Sequence, residues 1–461
     1  MAVRTATAEL SPRRPSESRW SVRRVVPAFV WLWLITRVLL LVVSLNPRFY
    51  SSGVYGDVRA YGAKVERMFQ GELPYRDVAI EYPPGSVPFT LVPALLVGTG
   101  PGYRLTFALE MILVDALGLY AAWRLARTAD RGRTRIPLAY VLGMVIIGPL
   151  LVLRFDLIPA VCVLLAAALA AEGRAGPSAA ALGYGAAAKL FPAVLAPLLV
   201  LGLVPTQGWR RALRRTVPPF LLAFAVTLVP ALIVSVSGTV GSLLYHIKRG
   251  VQIESLPANV IDLAHLAFGV AARSAYGFGA YDLLSGISGA LKLASTVATA
   301  ATLLGAAWLV WRRASGAASG AGTASGGEAA SGGRGLQPAD WAGAFAIGVF
   351  AFVLPTRVLS PQYLVWLAAP VAGLADRPLG RRAMWTLAGA AVLSQLEFPF
   401  RYTQLRHLHS FDIGVLTCRN LLLVAATILV VRAFRAGPVE VERSPAEEEG
   451  PERVAARPGS P

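Results

Sequence analysis

Runs of about 20 apolar residues recur from the N-terminal region to about Val431, and each is long enough to cross a bilayer as a helix. The first, "VVPAFVWLWLITRVLLLVVSL", lacks a small-residue cleavage site, so it is expected to stay in the protein. Composition agrees. Only 15% of the 461 residues are charged, 55% are hydrophobic, and the mean hydropathy is +0.56. A soluble domain carries about 25% charged residues. The even spread of the runs argues for one all-α membrane domain over 25–432, between a basic tail at 1–24 and a charged, Pro-rich, disordered tail at 433–461.

The net charge of +18 would suit nucleic acid if the cations shared one face. They lie between apolar runs instead, which excludes nucleic acid and points to topology control and anionic lipids. Arg4, Arg13, Arg14, Arg19, Arg23 and Arg24 precede the first span and place the N-terminus in the cytoplasm. Further clusters at 124–135, 210–215, 312–313, 377–382 and 432–435 must then be separated by even numbers of spans. "PPGSVPFTLVPALLVG" therefore reads as an interfacial helix. About twelve spans follow, near 25–45, 104–125, 137–153, 157–171, 176–188, 191–204, 216–237, 286–311, 340–355, 361–375, 383–397 and 411–432. The Gly/Ser-rich stretch at 314–338 reads as a flexible cytoplasmic linker, and both termini are cytoplasmic. Cys162 and Cys418, inside apolar runs, read as packing residues.

Under this topology the unusual polar residues share the outer face. The loop 46–103 contains "GVYGDVRAYGAKVERMFQGELPYRDVAIEYPPGS", with five carboxylates and four cations. Val58, Tyr61, Val65, Met68 and Phe69 repeat at helical spacing against Arg59, Lys64, Glu66 and Arg67. The pattern predicts an amphipathic helix lying on the membrane with Asp57 at its N-terminal cap. Pro83 and Pro84 stiffen the turn that follows.

Every candidate has a structural reading beside the functional one. Asp57 serves as a cap or as a reactive acid. Asp77 and Glu81 pair with Arg and hold the loop. Arg154 and Asp156, in "RFD", form an ion pair at the membrane edge or face a cavity. Lys189, in "AKLFP", snorkels from a span end or anchors a phosphate, and Arg357, before "SPQY", invites the same choice. His407 and His409 have no third ligand at metal-site spacing, so no metal is expected. Together, acids and cations gathered around one outer cavity suggest an active or binding site.

The motifs occur in a telling order. An outer Asp follows the first span, then "GELPYRD", "EYPP", "RFDLIPA", "AKLFP" and "LSPQYLVW". This set resembles the polyprenyl-phosphate-sugar-dependent glycosyltransferases of the GT-C superfamily. It is most similar to the actinobacterial α-mannosyltransferases that use polyprenyl-phosphate-mannose. The resemblance covers most of 25–432 and implies an enzyme of the cell membrane whose site faces outward. Its first-loop acid, the catalytic base, maps onto Asp57. Similar enzymes often show a paired acid here; this chain has Gly56-Asp57, so no metal or other cofactor is carried over.

The chemistry agrees with the residues. An acceptor hydroxyl attacking an anomeric carbon needs a carboxylate to take its proton, and Asp57 is the candidate. The phosphate leaving group needs positive charge, for which Lys189, Arg154 and Arg357 are candidates, with Lys248 and Arg249 behind them. Tyr82, Gln362 and Tyr363 are placed to contact sugar, and Asp77, Glu81 and Asp156 to position the loop. The expected donor is a polyprenyl-phosphate-linked sugar, mannose by resemblance, and the acceptor a glycolipid or glycan. The alternative class is a lipid-linked sugar translocator or transporter, which would space ionisable residues through the bilayer midplane.

Overall fold

Long apolar helices with largely exposed flanks surround a centre built from shorter, buried ones. The computed structural model describes residues 27–50, 52–128, 134–316 and 335–437. The basic tail at 1–24 lies outside these, as do most of the Gly/Ser linker and of the C-terminal tail.

Helix α1 (Ala28–Leu45) is followed by the amphipathic α2 (Gly56–Phe69), the short α3 (Val87–Val97), α4 (Tyr103–Arg127) and α5 (Arg135–Val145). Helices α6 (Leu157–Ala171), α7 (Ala175–Ala188), α8 (Ala196–Gln207) and α9 (Trp209–Val234) form the middle of the chain. Helices α10 (Val236–Leu244) and α11 (Leu256–Phe268) lead to a hairpin of β1 (Ala272–Gly277) and β2 (Ala280–Ser285). Helices α12 (Ser288–Ala314), α13 (Trp341–Val353), α14 (Leu364–Ala372), α15 (Pro378–Gln395), α16 (Tyr402–Arg406) and α17 (Ser410–Ala436) complete the fold.

Each of the twelve expected spans carries a helix. Five of them, α1, α4, α9, α12 and α17, are long and apolar enough to cross a membrane by length and composition. Most of the others are too short for a 30 Å hydrocarbon layer. Among the shorter helices, α14 is wholly buried and α6 and α13 nearly so, whereas α3 and α10 are largely exposed. Alanine and glycine dominate α6 and α7, which lets neighbouring backbones approach closely. By contrast, α9 and α12 expose most of their apolar surface, the side a bilayer would cover.

The chain is mostly helical, and four details differ from expectation. The fold is not wholly helical, because residues 272–285 form an antiparallel hairpin closed by Phe278 and Gly279, both at positive φ. That two-residue turn matches the twist of the strands, and its phenylalanine hides the usual Asn-Gly or Asp-Gly signal. The apolar face of α2 does not lie on lipid: Val58, Tyr61 and Val65 are buried in protein, with the Tyr61 ring against Phe107 and Phe155. Asp57 is not the cap of α2. It sits inside the first turn, after Tyr55 at the capping position, and its side chain caps nothing. Helices also reach beyond the expected boundaries, α12 to Ala314 and α17 to Ala436.

Ionic clasps tie the bundle together away from the polar loop. Arg37 of α1 and Asp115 of α4 are both buried and lie 2.7 Å apart; Tyr140 of α5 donates to the same carboxylate at 2.8 Å, and Trp33 also donates to it. At the foot of α13, buried Asp340 accepts from Arg313 and Arg377, joining α12, α13 and α15.

Candidate active site

The polar loop and three helix ends meet at one end of the bundle. Pro83 and Pro84 hold the loop extended before a tight turn at 84–86. Gly85 presses directly against the end of α7: a Cβ there would lie 2.5 Å from the carbonyl carbon of Ala187 and 2.7 Å from the nitrogen of Ala188. Only glycine permits that approach, and it delivers Tyr82 to Lys189, the next residue after α7.

Arg154 Nε lies 2.8 Å from Asp57 Oδ2, a close ion pair whose N–H is not aimed along the line of contact. The guanidinium also donates from Nη1 to the carbonyls of Val54 (3.1 Å) and Leu153 (3.0 Å), so Arg154 fixes the segment leading into α2. The Asp57 side chain keeps 36% of its surface exposed, leaving the carboxylate reachable. Two residues on, Asp156 accepts from Lys189 Nζ at 2.7 Å, with both side chains buried. The expected Arg154–Asp156 pair is thus replaced by two crossed pairs, Arg154 with Asp57 and Asp156 with Lys189.

Four rings surround the Lys189 ammonium, with centroids 5.4 Å (Tyr82), 5.3 Å (Phe155), 5.3 Å (Tyr363) and 4.9 Å (Trp366) away. Tyr363 stacks on Trp366, which in turn stacks on Phe191. Such an aromatic box favours a cation electrostatically and excludes water. The Tyr82 ring stands edge-on to Phe155 beside the ammonium. Its hydroxyl is held well above the ordinary phenol range, by burial first and then by Asp57, Glu81 and Asp156, so it stays neutral.

From Lys189 a groove of about 510 Å³ runs between Phe191, Phe352 and Trp366 on one side and Thr299 and Leu303 of α12 on the other. Arg357 lies on its rim and donates to the Ile247 carbonyl at 2.7 Å. The lining is mostly apolar, and its cations are Lys189, paired with Asp156, and Arg357. A pocket of this shape suits an amphiphile with an anionic head.

The remaining candidates fall outside this core. Asp77 bonds Arg76 and the backbone nitrogen of Leu73, while Glu81 pairs with Lys64, a lysine where an arginine was expected. Both hold the loop. Lys248 is exposed, whereas Arg249 is buried near Asp282, whose carboxylate accepts from the nitrogen of Gly250. Gln362 is half-buried beside Tyr363. His409 contacts only Asp412 among acidic partners described, at 3.6 Å, and no group of three or more His, Cys, Asp or Glu among the described residues is placed to hold a metal ion.

Sequence reasoning missed the walls of the box, Phe155 and Trp366, and a buried polar cluster behind Arg357. There Glu254 and Glu397 face Arg419, and Asp262 lies near Glu397, all buried. Ionisable residues inside apolar runs, Glu397 and Arg419, were the available signal. The cluster is wired to the site through Gln252, whose side chain donates to Glu254 and accepts from the Leu359 nitrogen.

The sequence pattern of glycosyltransferase family 87 matches residues 80–327, more than half of the chain. The chain belongs to this family. The match begins just ahead of Tyr82, so Tyr82, the "RFD" and "AKLFP" segments and the α12 wall lie in the shared region, whereas Asp57 lies before it and Arg357, Tyr363 and Trp366 lie beyond it. No curated protein matches this family 87 member. Among solved structures it is similar to ArnT from Cupriavidus metallidurans. Bound to undecaprenyl phosphate, that protein is 18% identical with a TM-score of 0.45, over 89% of this chain and 77% of that one. Its apo state gives 18% and 0.43, over 88% and 76%. Likeness at that level carries no functional argument.

Proposed function

We propose that this family 87 glycosyltransferase moves a sugar, mannose, from a polyprenyl-phosphate donor to a glycolipid or glycan acceptor on the extracytoplasmic side of the membrane. The observation that carries the donor class is the groove: a mostly apolar channel against α12 whose lining includes the cations Lys189 and Arg357. A polyprenyl chain would occupy the channel and its phosphate would lie against these cations. Mannose rests on the motif resemblance alone.

Asp57 takes the proton of the acceptor hydroxyl as its oxygen bonds to the anomeric carbon. The bond from that carbon to the phosphate oxygen breaks, and the electron pair leaves with polyprenyl phosphate. Lys189 and Arg357 neutralise the charge that develops there. Arg154 orients the base, and Tyr82 and Tyr363 bound the sugar. A single displacement inverts the anomeric configuration.

The test is transfer by the purified full-length protein in lipid, from labelled polyprenyl-phosphate-mannose to crude membrane acceptors, with arabinose and glucose donors in parallel. Transfer from the mannose donor is expected. Transfer only from another donor overturns the sugar, and movement of intact donor across the bilayer without transfer overturns the enzyme in favour of a translocator.

A further inference from the structure

A second polar cavity, again about 510 Å³, lies at the opposite end of the bundle. Helix α4 begins at the candidate site, where Tyr103 packs on Gly62 of α2 and Phe107 on Tyr61. Its 25 residues rise about 37 Å, so Arg124 and Arg127 in its last turn sit near the other membrane boundary. The cavity is closed by the turn between α6 and α7, where Gly173 at φ +75° reverses the chain between Glu172 and Arg174.

Charge is unbalanced there. Arg124, Arg127 and Arg174 line the cavity, and Glu172 is the acidic residue among its lining. Arg124 takes up Glu172 through both carboxylate oxygens, 2.8 Å from Nε to Oε1. Arg174 remains 4.0 Å from that carboxylate, and Arg127 lies over the Trp123 ring at 4.9 Å. Two guanidiniums therefore border the cavity without a close carboxylate of their own among the described residues.

The surface leading to the cavity is apolar. Leu105, Leu109, Leu113, Leu117 and Tyr120 of α4 are 44–72% exposed and spaced three or four residues apart, one continuous stripe ending at the guanidiniums. A free phosphate has no use for that stripe, whereas acyl chains do. We propose that the cavity binds the phosphate of an anionic glycerophospholipid, its chains lying along Leu113, Leu117 and Tyr120. Each cation near an anionic headgroup strengthens binding about fivefold, so Arg127 and Arg174 together supply about 30-fold.

The experiment is native mass spectrometry of the full-length protein in detergent, titrated with phosphatidylglycerol, phosphatidylcholine or inorganic phosphate. The expected result is retention of one phosphatidylglycerol that Arg127→Gln/Arg174→Gln weakens about 30-fold, with phosphatidylcholine unaffected. A Leu113→Asp/Leu117→Asp variant, which leaves the cations intact, should weaken it too. Equal retention of both lipids by wild type, or retention of phosphatidylglycerol unchanged in the arginine variant, overturns the assignment. Displacement of the lipid by millimolar inorganic phosphate, which itself stays bound, assigns the cavity to a soluble anion and overturns the lipid. An arginine variant melting as wild type does in phosphatidylcholine shows that any loss is not unfolding.

Discussion

Lys189 and Asp156 form a buried ion pair 2.7 Å long inside a box of four aromatic rings, beside a mostly apolar groove. The pair holds the ammonium in place before any ligand arrives. Lys189→Met should therefore lower affinity for a polyprenyl-phosphate donor by about tenfold or more, the worth of a charged hydrogen bond. Asp156→Asn, which frees the ammonium while keeping its shape, should weaken donor binding far less. Equilibrium binding of labelled polyprenyl phosphate checks both; equal loss in the two variants would assign them to structure alone.

Gly85 sets the distance between the loop and α7. In Gly85→Ala the new methyl group meets backbone at 2.5 Å, and the turn at 84–86 must retreat, carrying Tyr82 away from Lys189. Transfer should fall about tenfold while the melting temperature shifts by only a few degrees. Unchanged transfer would show that the loop position does not govern the site.

The Arg37–Asp115 pair is fully buried. Arg37→Met leaves a carboxylate unpaired and should cost about 3–5 kcal/mol, read as a lowered melting temperature in detergent. Adding Asp115→Leu removes the orphan and should restore much of the loss. A double variant no better than the single would contradict this reading.

The bundle and the gathering of charge at one end were legible in the sequence; the pairing was not. Apolar runs fix helices, and polar residues bracketed by them have few places to go, so Asp57, Arg154, Asp156 and Lys189 could be grouped from spacing alone. Which acid meets which cation depends on side-chain direction where four segments converge, and one-dimensional spacing does not contain it. Phe155 and Trp366 read as ordinary core because rings in apolar runs carry no signal of facing an ammonium. The hairpin escaped because Phe278 occupies a turn position where Asn, Asp or Gly is usual.

The cluster behind Arg357 should make the protein alkali-sensitive. Burial pushes the carboxyls of Glu254 and Asp262 up to about 7; Arg419 and Gln252 oppose it at Glu254 but do not cancel it. These acids hold their protons more tightly folded than unfolded. Their contribution is fully present below the unfolded value near 4 and is lost as pH rises through about 7. The melting temperature should fall by about 3 °C or more between pH 5.5 and 8.5, and Glu254→Gln/Asp262→Asn should flatten the curve. A melting temperature that rises over this range in wild type would rule the cluster out as the cause.

The proposed mechanism divides labour between an acid that reacts and a cation that binds, and one paired measurement separates them. Asp57→Asn and Lys189→Met would each be assayed for donor binding and for single-turnover transfer at saturating donor. The expected result is that Asp57→Asn keeps donor affinity and loses about 100-fold or more in transfer rate, whereas Lys189→Met loses affinity first. Wild-type transfer by Asp57→Asn would contradict the account and remove Asp57 as the base.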